Sequence, residues 1–152
     1  MSESDELQTA LSRYEVQLEI DQTHRLAQYC QLLWSWNERI NLTRHMTYDQ
    51  FVARDVVDSL ALAELLDLRT RVLDVGTGGG VPGIVLRIVR PDLKISLCES
   101  VGKKARAVQA MVDELELSVR VHHVRVEELL QYKTFDSLVV RAVARLSRLL
   151  GG

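Results

Sequence analysis

The segment that most limits what this chain can fold into is Val72-Leu73-Asp74-Val75-Gly76-Thr77-Gly78-Gly79-Gly80-Val81-Pro82-Gly83. An apolar run leads into a glycine-rich turn, and Pro82 follows where the first turn of a helix would begin, a position at which its missing N–H costs little. The glycines let the backbone turn sharply and approach a ligand closely. The helix start beyond them adds a positive dipole end. Strand, glycine turn and helix open a βαβ unit, so the expected class is α/β with a mostly parallel sheet and helices on both faces.

The rest of the chain fits that frame. Short β-rich runs are expected at 71–75, 94–98, 119–124 and 135–140, separated by helical stretches at 81–89, 102–117 and 126–131. Residues 1–68 read instead as an N-terminal helical extension packed on the core, which occupies 69–152. Leu7, Leu11, Tyr14 and Leu18 predict one amphipathic helix. Leu26, Tyr29, Cys30, Leu33 and Trp36 predict a second, N-capped by Asp21 or Thr23. Residues 37–46 lack a period and read as a loop. Thr47 and Gln50 spell a capping box for a third helix carrying Phe51, Val52, Val56, Leu60 and Ala63. A further helix is expected from about Ala142. A sheet ending at the fourth run leaves Leu138, Val139 and Val140 on an edge, so the sheet reads as incomplete, with edge-strand self-association as the expected liability.

Composition removes several classes. No apolar run approaches the length of a membrane span, and the acidic opening Ser2-Glu3-Ser4-Asp5-Glu6 is unlike a secretion signal, so a cytoplasmic address and no membrane partner are expected. Cys30 and Cys98 stand apart in apolar segments and read as buried reduced thiols. The four histidines, His24, His45, His122 and His123, have no ligand spacing, and no metal is expected. The net charge of −2 argues against coating a polyanion wholesale. Local basic clusters, among them Arg120/His122/His123/Arg125, leave room for a basic face.

The glycine turn admits two cofactor readings. From Gly78, the run Gly78-x-Gly80-x-x-Gly83 matches a dinucleotide fingerprint, with Glu99 about 20 residues on, where a ribose-binding acid belongs. From Asp74, the pattern D-x-G-x-G-x-G is the form found in methyltransferases. An acid at the strand's end suits a ligand with an ammonium and a sulfonium and disfavours a diphosphate, so S-adenosylmethionine is preferred over NAD. Asp74, Gly76, Thr77 and Gly78 are the expected contacts of the turn, with Glu99 on the ribose and Ser100 beside it. Arg125-Val126-Glu127-Glu128, after the third strand, is placed to meet an adenine, although a plain helix start accounts for its acids almost as well. The fourth strand ends in Arg141, a cation suited to a phosphate or to the O6/N7 edge of guanine rather than to an exocyclic amine. Guanine N7 carries a free lone pair, so its methylation needs alignment more than a base.

With these segments in hand, the chain resembles the glucose-inhibited division protein B family, also called ribosomal RNA small subunit methyltransferase G. The matching pieces are Trp36-Asn37-x-x-Ile40-Asn41-Leu42-Thr43, Asp55-Val56-Val57-Asp58-Ser59-Leu60, the glycine turn from Leu73 to Gly83, Glu99-Ser100-Val101-Gly102-Lys103-Lys104, Arg125 to Glu128 and Arg141-Ala142-Val143-Ala144. The resemblance implies a Rossmann-like class I fold and transfer of a methyl group from S-adenosylmethionine to N7 of a guanosine in bacterial 16S ribosomal RNA, or in the small-subunit particle. It places Gly76, Val81, Val126, Glu127 and Arg141 among the cofactor contacts, with Arg141 also positioning the target base. It points to Asn41, Arg44 and His45, to which the basic cluster adds Arg125, for the RNA side. Family members continue beyond the equivalent of Gly152, so the chain reads as C-terminally truncated. A form that holds cofactor without turnover is the alternative, and an NAD-dependent oxidoreductase a more distant one.

Overall fold

The computed structural model describes residues 1–140. The helix expected from Ala142 lies outside the described residues.

The N-terminal region is helical. α1 (Glu3–Arg13) and α2 (Ile20–Asn37) are followed by three consecutive helical segments: α3 (Tyr48–Gln50), a π-helical stretch (Phe51–Val56) and α4 (Val57–Ala63). Four differences from the expected pattern have local causes. α1 stops short of Leu18 because Glu15 takes a left-handed conformation (φ 56°), which lets Val16 N–H return to Leu11 O at 2.9 Å. Glycine usually marks such a stop, and here a glutamate makes it. α2 is capped by Glu19 rather than Asp21 or Thr23, and Glu19 N–H donates to Gln22 Oε1 at 3.0 Å. Only half of the Thr47 box forms: Thr47 Oγ1 accepts from Gln50 N–H, but Gln50 Oε1 accepts from Met46 N–H instead of Thr47. The third helix includes a π-helical stretch in place of regular α-helix, and Asp55 is buried within it beside Phe51, Val52 and Val56.

β1 (Arg71–Val75), β2 (Lys94–Cys98), β3 (Arg120–His122) and β4 (Ser137–Val140) form one parallel sheet in the order β3-β2-β1-β4. α5 (Gly83–Val89) links β1 to β2, α6 (Gly102–Glu114) links β2 to β3, and α7 (Val126–Leu129) links β3 to β4. β1 and β2 have the expected bounds. β3 is shorter than the expected run because Val119 N–H turns back to Leu117 O, and α6 ends early at a second left-handed glutamate, Glu116 (φ 54°). β4 starts at Ser137 because Asp136 is committed to β1: its N–H donates to Arg71 O and its carboxylate receives Arg71 N–H, Nε–H and Nη2–H. Among the described residues β4 pairs only with β1, and Leu138 is 47% exposed.

Strand periodicity divides the core between two faces. Val72, Ile95 and Leu97 point into a large cluster that also holds Leu7, Leu11, Leu26, Tyr29, Leu33, Phe51, Ile84 and Met111. The N-terminal helices and the sheet therefore share one continuous core. Leu73 and Cys98 point the other way, into a smaller cluster closed by Leu129 of α7. Tyr48 Oη donates to Glu3 Oε2, and Gln31 Nε2–H bonds both, tying the start of α1 to α2 and α3.

This topology creates the site. After β3 the chain crosses back over β1 to form β4, so the strand order reverses beside β1, and its carboxyl end is where ligands bind in open α/β sheets.

Candidate functional site

The loop after β1 is built from the inside. Asp74 is fully buried, and its Oδ2 accepts from Thr77 Oγ1–H at 2.7 Å and from Gly83 N–H at 3.0 Å. One carboxylate thus closes the turn and satisfies a donor at the start of α5. Gly78 and Gly80 hold left-handed conformations, with φ 60° and 101°, which explains why the turn is written in glycine. A Cβ on Gly79 would stand 2.8 Å from Leu33 Cδ1 and 3.1 Å from Leu42 O, so that glycine is required by close approach of the N-terminal region. Tyr29 Oη donates to Gly79 O at 2.7 Å from the same side. The helical region therefore holds the glycine loop in place, a role that the periodic placement of Tyr29 on an apolar helix face does not reveal.

Two of the residues expected as contacts turn their side chains inward. Asp74 and Thr77 are both 0% exposed and bonded to each other, so their side chains organise the loop. A third residue, Val81, is buried on the opposite flank of the loop, away from the cleft described next.

That cleft, about 270 Å³, opens at the carboxyl ends of β1, β2 and β3. It brings together Gly76, Gly78, Glu99, Ser100, Val126 and Glu127, six of the residues expected from sequence. Glu99, 5% exposed at the end of β2, accepts from Gly78 N–H through Oε1 and from Val101 N–H through Oε2, each at 2.9 Å. Its oxygens keep further lone pairs for hydroxyl donors. Val75, Cys98 and Val124 supply apolar wall, while Lys104 and Arg125 add cations. Arg125 therefore lies with this cleft and apart from the other three residues expected on the RNA side. Arg141 lies outside the described residues.

Asn41, Arg44 and His45 lie together in the loop after α2 and line a second, open depression. Asn37, on the last turn of α2, shapes that loop: its Oδ1 accepts from Leu42 N–H at 2.7 Å and Thr43 N–H at 3.0 Å. Trp34 Nε1–H donates to His45 O at 2.9 Å. His45 Nδ1 lies 3.1 and 3.2 Å from the two oxygens of buried Asp55. This His45–Asp55 pair is a feature that reading the two segments separately misses, because it forms only where the loop after α2 packs against the π-helical stretch.

Both thiols are suppressed. Burial, reinforced by Glu99, Glu127 and Asp74, pushes the Cys98 thiol from 9.0 up to about 11. Burial raises Cys30 well above the usual thiol range. Both cysteines should react slowly with iodoacetamide at pH 8 in the folded chain and quickly in urea. Rapid native labelling of Cys98 would show that the cleft wall is open. The unfolded Cys98 thiol ionises near 9.0 while the folded one holds its proton to about 11, so its contribution to stability is intact below pH 9 and lost across that interval.

Among the described residues no group of three or more His, Cys, Asp or Glu side chains could hold a metal ion. No helix among them is long and apolar enough to cross a membrane.

Comparisons with known proteins agree with this architecture. Residues 22–151 match the family model described as rRNA small subunit methyltransferase G. A ribosomal RNA small subunit methyltransferase G of Rhodopirellula baltica is 48% identical over 141 residues, covering 93% of this chain and 61% of that protein. One from Desulfitobacterium hafniense is 36% identical over 157 residues, covering 99% of this chain and 65% of that protein. The chain thus spans under two thirds of the length of these two relatives. In structure, it resembles a putative protein-L-isoaspartate O-methyltransferase of Plasmodium falciparum solved with S-adenosyl-L-homocysteine (TM-score 0.58, 16% identity, 93% of this chain and 74% of that one). At that identity the likeness establishes the Rossmann-like fold.

Proposed function

Because the chain belongs to the rRNA small subunit methyltransferase G family, we propose that it binds S-adenosylmethionine in the cleft at the ends of β1–β3 and serves methyl transfer to N7 of a guanosine in 16S ribosomal RNA. The observation that carries this reading is Glu99, a carboxylate buried at the end of β2 yet lining that cleft beside Gly76 and Gly78.

The residues present fit the cofactor. Glu99 is placed to accept ribose hydroxyls at a strand's carboxyl edge. Val75, Val124 and Val126 offer an apolar surface to an adenine, and the mixed charges Lys104, Arg125 and Glu127 suit an amino-acid zwitterion. A diphosphate fits poorly, because the Gly78 N–H that would receive it is already taken by the Glu99 carboxylate. That argues against a dinucleotide on more direct grounds than Asp74 does.

When bound, the cofactor would supply an electrophilic methyl group to the N7 lone pair, with the sulfonium sulfur as the leaving group. No proton moves, so the chain needs no general base. Its own work is to hold the loop rigid through Asp74 and Tyr29, to hold the ribose through Glu99, and to align the reactants. Asn41, Arg44 and His45 form the side on which RNA is received.

Calorimetry with S-adenosylhomocysteine and with NAD tests the cofactor, and transfer of labelled methyl groups to small-subunit rRNA from cells lacking the native enzyme tests the activity. Binding of S-adenosylhomocysteine but not NAD is expected. NAD binding without a response to S-adenosylhomocysteine would overturn the reading. Binding without transfer would leave the chain a cofactor-holding role alone.

A further inference from the structure

A second cleft, about 340 Å³, lies on the other flank of the same glycine loop, within the size range of small-molecule sites. Gly76 and Gly78 line the cofactor cleft, whereas Val81 and Pro82 line this one. Further apolar wall comes from Leu62 of α4 and from Val139 and Val140 at the carboxyl end of β4, so the cleft sits where the strand order reverses.

The opposite wall comes from the π-helical stretch and α4 and, Leu62 apart, is polar: Arg54, Asp55, Asp58 and Ser59. Ser59 is 1% exposed, and its Oγ has no hydrogen-bond partner among the described residues. A buried hydroxyl without a partner is costly and marks a place where one is supplied from outside the described residues. Asp58 is exposed at the rim, and its carboxylate likewise has no partner among the described residues. His45 also lines the cleft. Asp55 holds its Nδ1, which fixes the ring and leaves Nε2 for a ligand.

We infer that this cleft is the acceptor pocket, taking a guanine base between the Val81–Pro82 and Val139–Val140 surfaces with its Watson–Crick edge on Asp58 and Ser59. This rests on the methyltransferase reading above. The specificity follows from donor and acceptor pattern. A carboxylate only accepts, and guanine alone among the standard bases presents two adjacent donors, N1–H and N2–H. Adenine and cytosine set a ring acceptor beside the amino group, and uracil flanks its N–H with carbonyls; each opposes one carboxylate oxygen. Held by that edge, guanine leaves N7 on its far side. Donor and acceptor clefts then share one wall, the glycine loop, which is the arrangement a direct transfer requires.

The test titrates millimolar GMP and AMP into the chain saturated with S-adenosylhomocysteine, read by backbone amide NMR. GMP should shift the amides of Asp58, Ser59, Val139 and Val140, and AMP should bind at least about tenfold more weakly, the scale of a lost charge-assisted pair. Asp58→Ala should weaken GMP by about tenfold and bring the GMP/AMP ratio close to one, with Ser59→Ala acting in the same direction. Asp58 is exposed, so its removal leaves the fold intact. Equal affinity for the two nucleotides, shifts confined to other regions, or no effect of Asp58→Ala on the ratio would each overturn the assignment. S-adenosylhomocysteine binding is measured first. Its presence without a guanine response sinks this pocket alone, whereas its absence sinks the cofactor reading.

Discussion

Asp74→Ala is expected to cost about 3–5 kcal/mol of unfolding free energy, because two buried donors lose their acceptor at about 1–3 kcal/mol each and a small cavity is left. The donors are Thr77 Oγ1–H and Gly83 N–H, both bonded to the same oxygen, Oδ2. Against a total stability of about 5–15 kcal/mol this is a large fraction. It should appear as a lower urea midpoint at nearly constant slope. Thr77→Val removes one of the two bonds and should cost about 1–2 kcal/mol. The double variant should cost less than the two singles added, since the hydroxyl left unpaired by Asp74→Ala is itself gone. Strict additivity would show that the bond contributes nothing. A variant of normal stability that no longer bound S-adenosylhomocysteine would instead return Asp74 to the ligand.

The second large effect separates the other acid of the site. Glu99→Ala is expected to weaken S-adenosylhomocysteine binding by about 10- to 100-fold, or roughly 1.5–3 kcal/mol, since charge-assisted bonds to the ribose hydroxyls are lost. Its cost in stability should be smaller, about 1 kcal/mol, because Gly78 N–H and Val101 N–H lie beside an open cleft and water can replace the carboxylate. The two acids should therefore give opposite signatures: Asp74 mainly a loss of stability, Glu99 mainly a loss of affinity. Unchanged affinity in Glu99→Ala would remove Glu99 as the ribose ligand.

That contrast shows how much of the site was legible. Both acids stand at strand ends next to the glycine turn, and the sequence pattern nominates both as ligand contacts. Glu99 projects where β2 meets the cleft. Asp74 lies on the face of β1 that carries Val72, the inward face of the large cluster, and so is drawn into the turn it precedes. Val81 shows the same limit: its place in a family motif says nothing about which flank of the loop it faces. The N-terminal signature around Asn37 and Asn41 was visible as a motif. Its physical role, with Asn37 capping the loop and Tyr29 gripping Gly79, depends on contacts between segments far apart in the chain.

The helix ends follow a similar logic. α1 and α6 overrun in the sequence reading because the residues that stop them, Glu15 and Glu116, are not glycine, and the packed turns after them determine their left-handed conformation.

What local pattern alone settled is the architecture: apolar runs buried on both faces must be sheet strands, helical spacing between them must cover the sheet, and glycines at a strand's end must form a tight turn. Those are short-range consequences of side-chain period and backbone sterics. What required the folded chain is the assignment of polar groups to ligand or to scaffold. A carboxylate's role depends on which donors lie within about 3 Å of it. For Asp74, Glu99 and Asp55 those donors come from a turn, a neighbouring loop and a histidine ten residues away, brought close only when β1, β2 and the π-helical stretch pack together.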